Sequence, residues 1–289
     1  MEVIVQNLLI YFVGSGIVFF VGIGLILLAI PLSLLDNWLR RLQFFIFLIG
    51  CIFIAISSTP LPTWMYAALI LAAVIWQLTL GIGGLSRHRK TVATLAALVF
   101  ISIAVFEYQF HRLPMLDKSH TSILILGDSI TAGTGGGDKT IKWPDQISDH
   151  LHINVDNRAI PGAKCSTATK EAQKSPIDCT LAILEIGGND LLGSTSAQKF
   201  SIDLRQLLSE LSQHEIDILM FELPLPPFRH NYGQIQRDLA AEFDIKLIPK
   251  WYLLDVITRD KCTIDSVHLT QEGHDRFATN ITQIIQANE

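Results

Sequence analysis

The segment "LILGDSITAGTGGGDKT", residues 124–140, decides the fold of the second half of the chain. An apolar run ends at Gly127, and Asp128 and Ser129 follow at once. Short apolar runs that end at glycine are typical of strands buried in a parallel sheet. The further glycines and the Lys139–Thr140 pair raise two alternatives for the turn that follows, a phosphate-binding loop or a nucleophilic serine.

The phosphate-binding alternative does not fit the spacing. Such a loop requires G-x-x-x-x-G-K-[ST], whereas residues 133–140 read G-T-G-G-G-D-K-T. Asp138 stands between the last glycine and the lysine, where its carboxylate would repel a phosphate. The dinucleotide pattern G-x-G-x-x-G fails at the same aspartate. We therefore favour the nucleophile and interpret the glycines as a turning loop beside it.

The composition divides the chain into two parts. Of 289 residues, 49% are apolar and only 17% are charged, against about 25% charged in soluble proteins. Residues 1–110 hold five basic and three acidic side chains, a net charge of +2. Since the whole chain carries −5, the remaining residues carry −7. This pattern predicts a membrane domain followed by a mildly acidic soluble domain. No basic patch with interleaved aromatic residues is present in the sequence, so nucleic acid is not expected as a partner.

Residues 1–110 are predicted to form a membrane domain with about four transmembrane helices. A spanning helix needs about 17–25 apolar residues, and the four apolar runs lie at 8–35, 42–58, 65–85 and 91–107. Buried core helices are the alternative, but four such runs in succession disfavour it. The first run lacks the basic leader and cleavage site of a signal peptide. Its glycines would allow close helix contacts.

The basic residues between the runs predict an orientation. Arg40 and Arg41 follow the first run, and Arg87, Arg89 and Lys90 follow the third. Cytoplasmic loops are enriched in such residues. We therefore expect a multi-pass protein of the bacterial cytoplasmic (inner) membrane, with the N-terminus and the soluble domain on the extracytoplasmic, periplasmic side.

After a linker at 111–119, residues 120–289 alternate between short apolar runs and amphipathic segments. This alternation predicts a parallel sheet covered by helices on both faces. The predicted strands are 122–126, 153–159, 181–186, 216–223 and 245–248, and the predicted helices are 143–150, 163–173, 197–214, 232–243 and 271–287.

Polar motifs follow these strands at the points where active sites of such folds gather. A serine hydroxyl needs a base, an orienting acid and oxyanion donors before it becomes an effective nucleophile. We expect Ser129 as the nucleophile, His268 as its base and Asp265 as the acid that orients His268. The backbone N–H groups of Ser129 and Gly162 and the side-chain amide of Asn189 would form the oxyanion hole.

Each of these residues has a simpler explanation when it is taken alone. A serine after a strand is usually a helix cap, an asparagine in a tight turn usually serves the turn, and a single histidine is usually structural. A metal site formed by Asp265, His268 and His274 is a further alternative, which the absence of H-E-x-x-H disfavours. The combination of the motifs favours catalysis.

The motifs "GDSITAG", "NRAIPG", "IGGND" and "DSVHLTQEGH" resemble the conserved blocks of the SGNH (GDSL-type) hydrolase family. The runs "LEIGGNDLLG" and "KWPDQI" are most similar to its thioesterase-I/arylesterase branch. The resemblance covers about residues 120–289 and departs at Ser266, where the family often has glycine. It implies a flavodoxin-like three-layer α/β sandwich with a five-stranded parallel sheet, the Ser129–His268–Asp265 triad, and neither cofactor nor metal.

The expected function is that of a membrane-anchored, extracytoplasmic serine esterase. Its substrate would be a cell-envelope ester, such as an acylated glycan or a lipid, and its other partner would be the lipid bilayer. Two alternatives remain open: an O-acyltransferase that uses the same triad, and a non-catalytic envelope assembly protein that retains the fold. The sequence leaves the oligomeric state open.

Three cysteines lie in the second half of the chain, where an exported domain can keep disulfides. A bridge between Cys165 and Cys179 would close a short loop and is the first candidate. Cys262 is an alternative partner, so the pairing stays open. Cys51 lies in an apolar run and is expected to be inert.

Overall fold

The computed structural model describes residues 2–35, 38–82, 87–116, 119–135, 137 and 139–286. The chain forms two compact units. One, the α/β unit, comprises residues 1–11, 112–225 and 231–289, and the other, the helical unit, comprises residues 12–111 and 226–230. Asp138 of the glycine segment lies outside the described residues, as do residues 83–85 of the third apolar run.

Among the described residues, five apolar α-helices precede the sheet. They are α1 (Glu2–Gly14), α2 (Ile17–Leu32), α3 (Trp38–Ile56), α4 (Thr63–Gly81) and α5 (Arg89–Tyr108). The first apolar run is not one helix, because α1 and α2 meet at a bend of 74°. Gly16 takes a left-handed conformation at the bend, with φ of 85°, which glycine adopts without steric cost.

The described helices are consistent with two or three membrane crossings. The segments Thr63–Gly81 and Arg89–His111 are each long and apolar enough to span a bilayer. The bent pair α1–α2 adds a third crossing if it counts as one broken span. The apolar part of α3, Arg41–Ile56, is shorter. Length and composition thus support fewer crossings than the four expected.

Helices α2 and α3 approach closely at two glycines. A Cβ on Gly22 would lie 2.8 Å from the carbonyl oxygen of Gly50, and a Cβ on Gly50 would lie 2.8 Å from that of Gly22. Only hydrogen fits on both sides of such a contact, as is common where helices pack through small residues. Gly24, also in the first apolar run, has open space around it.

The α/β unit is built on a five-stranded parallel sheet with the order β2-β1-β3-β4-β5. The strands are β1 (Ser122–Gly127), β2 (Asn154–Asn157), β3 (Leu181–Glu185), β4 (Asp217–Phe221) and β5 (Lys246–Ile248). This order is that of flavodoxin-like folds, which bind ligands beyond the carboxyl ends of the strands. The expected fold class of this unit is confirmed.

Eight α-helices complete the part of the α/β unit that the structure describes. They are α6 (Ser129–Ala132), α7 (Trp143–Leu151), α8 (Cys165–Gln173), α9 (Gly188–Leu192), α10 (Ala197–Leu211), α11 (His230–Glu242), α12 (Lys250–Ile257) and α13 (Gln271–Gln286). Three of these, α6, α9 and α12, were not expected from the sequence. Helix α12 follows β5 after a single proline, so in the sequence its apolar residues continue almost directly from those of the strand.

Alternate residues of the central strands enter two separate cores. In β1, Leu124 and Leu126 pack with residues of α8, α10 and α11, whereas Ile123 and Ile125 pack with residues of α7, α12 and α13. The same alternation holds in β3 and β4. Because both faces are covered, the central strands β1, β3 and β4 are buried, and the carboxyl edge of the sheet remains as the place where polar loops meet.

Candidate active site

Ser129 lies directly beyond β1, where it begins the single-turn helix α6. Oδ1 of Asp128 accepts a hydrogen bond of 3.0 Å from the backbone N–H of Ile130 and caps this turn. Position 127, the last residue of β1, requires glycine, because a Cβ at this position would lie 2.4 Å from Oγ1 of Thr131. The sharp turn from strand to helix leaves Ser129 half-buried at the carboxyl edge of the sheet.

The two other expected oxyanion donors lie on loops beyond β2 and β3. Gly162 has a left-handed conformation, with φ of 74° and no atom within 4 Å of the position of a Cβ. Asn189 lies in α9, and its Nδ2 donates to Oδ2 of Asp128 at 2.9 Å and to the carbonyl oxygen of Ala163 at 3.2 Å. Both hydrogens of the Asn189 amide are therefore engaged within this edge of the sheet.

The expected acid and base form a tight pair in the loop before α13. Nδ1 of His268 lies 2.7 Å from Oδ2 of Asp265. Oδ1 of Asp265 accepts from the backbone N–H of His268 at 2.9 Å and from that of Val267 at 3.2 Å. These hydrogen bonds lower the pKa of Asp265 to about 2. The bond from the backbone N–H of His268 has the largest effect, and the bond from its ring has the next largest. Asp265 is thus ionised at neutral pH and holds the imidazole by Nδ1.

His268 faces the nucleophile end of β1. Burial raises the pKa of Asp128, and the charge that the His268 ring carries when it is protonated acts in the opposite direction. A Cβ on Gly135 would lie 3.7 Å from the Cβ of His268, so the glycine segment runs beside the histidine. Within the described part of the chain, however, no hydrogen bond joins Oγ of Ser129 to the His268 ring. Catalytic contacts are often long before substrate binds.

The comparison with protein families agrees with this arrangement. Residues 125–276, about half of the chain, match the GDSL-like Lipase/Acylhydrolase family. The chain belongs to this family. The match begins inside β1 and ends in α13, so it contains Ser129, Gly162, Asn189, Asp265 and His268, and it excludes the five helices that precede the sheet.

Two curated proteins illustrate the similarity of this GDSL-like chain to known hydrolases. It is 30% identical over 145 residues to Thioesterase 1/protease 1/lysophospholipase L1 of Escherichia coli (strain K12), an alignment that covers 44% of the chain and 65% of the relative. It is 24% identical over 190 residues to an Arylesterase of Vibrio mimicus, covering 60% of the chain and 92% of the relative. The chain thus spans less than two thirds of the E. coli protein's length.

Solved structures show the same fold. The psychrotrophic esterase EstA from Pseudoalteromonas sp. superposes with a TM-score of 0.51 at 21% identity, covering 58% of the GDSL-like chain and 97% of the esterase. TesA superposes with the same TM-score and identity, covering 58% of the chain and 99% of TesA. The sheet and its surrounding helices are therefore those of the family.

Ser266 departs from the glycine often found after the acid in this family, and its conformation explains that preference. Its φ is 74°, in the left-handed region, which costs a non-glycine residue roughly 1–2 kcal/mol. Ser266→Gly should therefore raise the free energy of unfolding by up to about 1 kcal/mol with activity retained. Ser266→Val should displace Asp265 and His268 and lower kcat about 100-fold.

Chemical denaturation and ester-hydrolysis kinetics of both Ser266 variants would measure these effects. If the valine variant keeps full activity, the left-handed conformation at Ser266 does not govern the Asp265–His268 geometry.

Sequence analysis missed one buried carboxyl group at the site, that of Glu185 at the end of β3. Its side chain accepts a hydrogen bond of 2.8 Å from Oγ1 of Thr131 and one of 3.4 Å from the backbone N–H of Asp128. An acidic residue in the otherwise apolar strand "LAILE" was the available signal. Asp190, which also follows β3, accepts from the backbone N–H of Cys165 at 2.9 Å and supports the start of α8.

The bridge considered between Cys165 and Cys179 is not formed, because all four cysteines are free thiols. Cys165 begins α8 and contacts Asp190 beyond the carboxyl end of β3, whereas Cys179 precedes β3. The five residues of β3 separate them at about 3.3 Å per residue, which exceeds the 7 Å that a disulfide tolerates between Cα atoms. Burial raises the pKa of both thiols.

His274 is a packing residue. It is fully buried, and its Nδ1 accepts a hydrogen bond of 3.3 Å from the backbone N–H of Trp143. Burial lowers the pKa of His274 to about 4, so it is neutral at physiological pH. No group of three or more metal-ligating side chains occurs among the residues that the structure describes.

Proposed function

We propose that this GDSL-like protein is a serine ester hydrolase that forms an acyl-enzyme on Ser129. The observation that carries the proposal is the Asp265–His268 pair at 2.7 Å, held in the loop before α13. An ionised acid on Nδ1 fixes the tautomer in which Nε2 can accept a proton. The placement of Ser129, Gly162 and Asn189 beyond three neighbouring strands supports the same reaction.

The proposed reaction has two steps. Oγ of Ser129 attacks the ester carbonyl while Nε2 of His268 takes its proton and then passes it to the leaving alcohol. Water attacks the acyl-enzyme in the same way and releases the acid. The backbone N–H groups of Ser129 and Gly162 would stabilise the oxyanion, together with one hydrogen of the Asn189 amide that turns from Ala163.

The substrate class and the location are part of the proposal. We infer that α4 and α5 anchor the protein in the bacterial inner membrane as two crossings. The basic link at Arg87, Arg89 and Lys90 would then lie in the cytoplasm, which places the α/β unit on the periplasmic side. Anchoring would keep the site near an ester of the cell envelope, carried by a lipid or a glycan. A reporter enzyme fused after residue 110 should be active only outside the cytoplasm, and activity inside would reverse the orientation.

A fluorophosphonate probe tests the nucleophile directly. The detergent-solubilised full chain should gain the mass of one phosphonyl group, and Ser129→Ala should abolish the gain. Ser209→Ala is a matched control, because Ser209 is an exposed residue of α10. Absence of labelling under conditions that label a known serine esterase would contradict the proposal, and so would labelling of Ser129→Ala.

Transfer of the acyl group to an acceptor alcohol is a second candidate. The observation that favours it is the set of apolar helices outside the family match, which could bring a lipid-borne donor or acceptor to the site. Product analysis with and without an added glycan separates the two reactions. Acylated glycan indicates transfer, and free acid at an unchanged rate indicates hydrolysis.

A further inference from the structure

Two carboxyl groups lie buried together beneath the proposed nucleophile. Each is only 5% exposed: Glu185, at the end of β3, and Asp128, between β1 and α6. Asp128 lies next to Ser129 in the chain, and Glu185 reaches α6 through its hydrogen bond from Thr131. The proposed reaction steps use neither carboxyl group directly, so their burial calls for a separate explanation.

The carboxyl group of Glu185 contacts Asp128 directly, because its Oε2 accepts from the backbone N–H of Asp128 at 3.4 Å. Two like charges held this close in a buried site disfavour double ionisation, so a state with one proton on the pair is favoured. Burial raises the pKa of Glu185 well above its usual value, and the charge of Asp128 raises it further. A protonated His268 ring and the hydrogen bond from Ile130 both favour the ionised form of Asp128. The proton therefore belongs on Glu185.

Asp128 is then the acceptor at both of its oxygens. Oδ1 accepts from the backbone N–H of Ile130 at 3.0 Å, and Oδ2 accepts from Nδ2 of Asn189 at 2.9 Å. A carboxylate offers no donor, so it fixes which end of the Asn189 amide faces it. With Asp128 protonated, the amide could turn over and present its oxygen, which would repel an oxyanion.

Resting on the proposed function, we propose that Glu185 is a positioning residue. It keeps a proton, donates that proton in a hydrogen bond to the Asp128 carboxylate, and thereby holds the nitrogen of Asn189 ready for the oxyanion. Protonated Glu185 thus acts on the transition state through Asp128 and Asn189, and it contacts no substrate atom itself.

Two substitutions distinguish whether the Glu185 side chain acts as a hydrogen-bond donor or as a buried carboxylate. Glu185→Gln keeps a neutral donor of the same shape, so kcat should stay within about threefold of wild type. Glu185→Leu removes the donor, and kcat should fall about 100- to 1000-fold, as when one oxyanion donor is lost. KM should change little, because the oxyanion exists only in the transition state. Equal losses in both variants would overturn the proposal.

A double substitution distinguishes positioning from a general structural role. If Glu185 acts through Asn189, then Glu185→Leu should cost little more once Asn189→Ala is present. Independent, multiplying losses would mean that Glu185 does not act through the amide. Melting temperatures of all variants show whether each one folds.

Infrared spectroscopy tests the proton without any turnover. The difference spectrum of the full chain, wild type minus Glu185→Gln, should contain the C=O stretch of a protonated carboxyl group at neutral pH. Carboxylate bands alone would overturn the proposal even if Glu185→Leu does not fold. If the wild-type protein shows the protonated band but hydrolyses no ester, the proposed function is contradicted, whereas the assignment of the proton to Glu185 still holds.

Discussion

Ser129→Ala and His268→Ala should each lower kcat for ester hydrolysis by about 10⁵- to 10⁶-fold, and the double variant should be no worse than either one. Ser129 has no path for its proton without the base, and His268 has no proton to take without the nucleophile. The two residues therefore act as one unit, and their losses do not add.

Single-turnover kinetics with a chromogenic ester would measure these losses on the solubilised chain. His150→Ala is the matched control for the histidine, since His150 is exposed at the end of α7, and it should leave kcat unchanged. A double variant that loses the product of the two single factors would show that Ser129 and His268 act separately, which is incompatible with the triad.

Asp265→Asn should lower kcat by about 10⁴-fold, a larger loss than the exposed position of Asp265 would suggest. Asp265 uses Oδ1 for the two backbone N–H groups and Oδ2 for Nδ1 of His268. Asparagine has only one oxygen, which the two backbone donors claim. Its NH₂ group would then face Nδ1 and force the histidine proton onto Nε2, where the base must accept.

The pH dependence of this loss follows from the pKa of Asp265, which is lowered to about 2. A lowered pKa means that the stabilising effect of the carboxylate is present above the unfolded value near 3.8 and is lost as the pH falls toward 2. The loss in kcat should therefore be constant between about pH 5 and 9.

Asp260→Asn is the matched control for this prediction, because Asp260 is an exposed residue of the same loop, and it should have no effect. A loss for Asp265→Asn that disappears within the range of pH 5 to 9 would mean that Asp265 titrates there.

The sequence predicted the sheet because the central strands of the α/β unit are short apolar runs, separated from one another by polar, helical segments. It also predicted the residues of the candidate triad, since Ser129, Asp265 and His268 lie in local motifs whose spacing is visible without a structure. The distance of 2.7 Å between His268 and Asp265 is consistent with the roles proposed for these two residues.

Features that depend on contacts between distant segments were not predictable. The bend between α1 and α2 depends on the φ of Gly16 within a continuous apolar run, which periodicity does not reveal. The proton attributed to Glu185 depends on Asp128, 57 positions away. The cysteine pair looked feasible by spacing, and only the length of β3 between Cys165 and Cys179 shows why the thiols stay apart.

The four free cysteines bear on how the protein can be produced. Cys165 and Cys262 are completely buried, and no covalent cross-link contributes to the fold. Folding should therefore require neither an oxidant nor a disulfide isomerase, and dithiothreitol should leave the melting temperature unchanged. Purification and refolding can therefore be carried out with a thiol reductant present throughout, which also keeps the buried thiols from oxidising while the chain is unfolded.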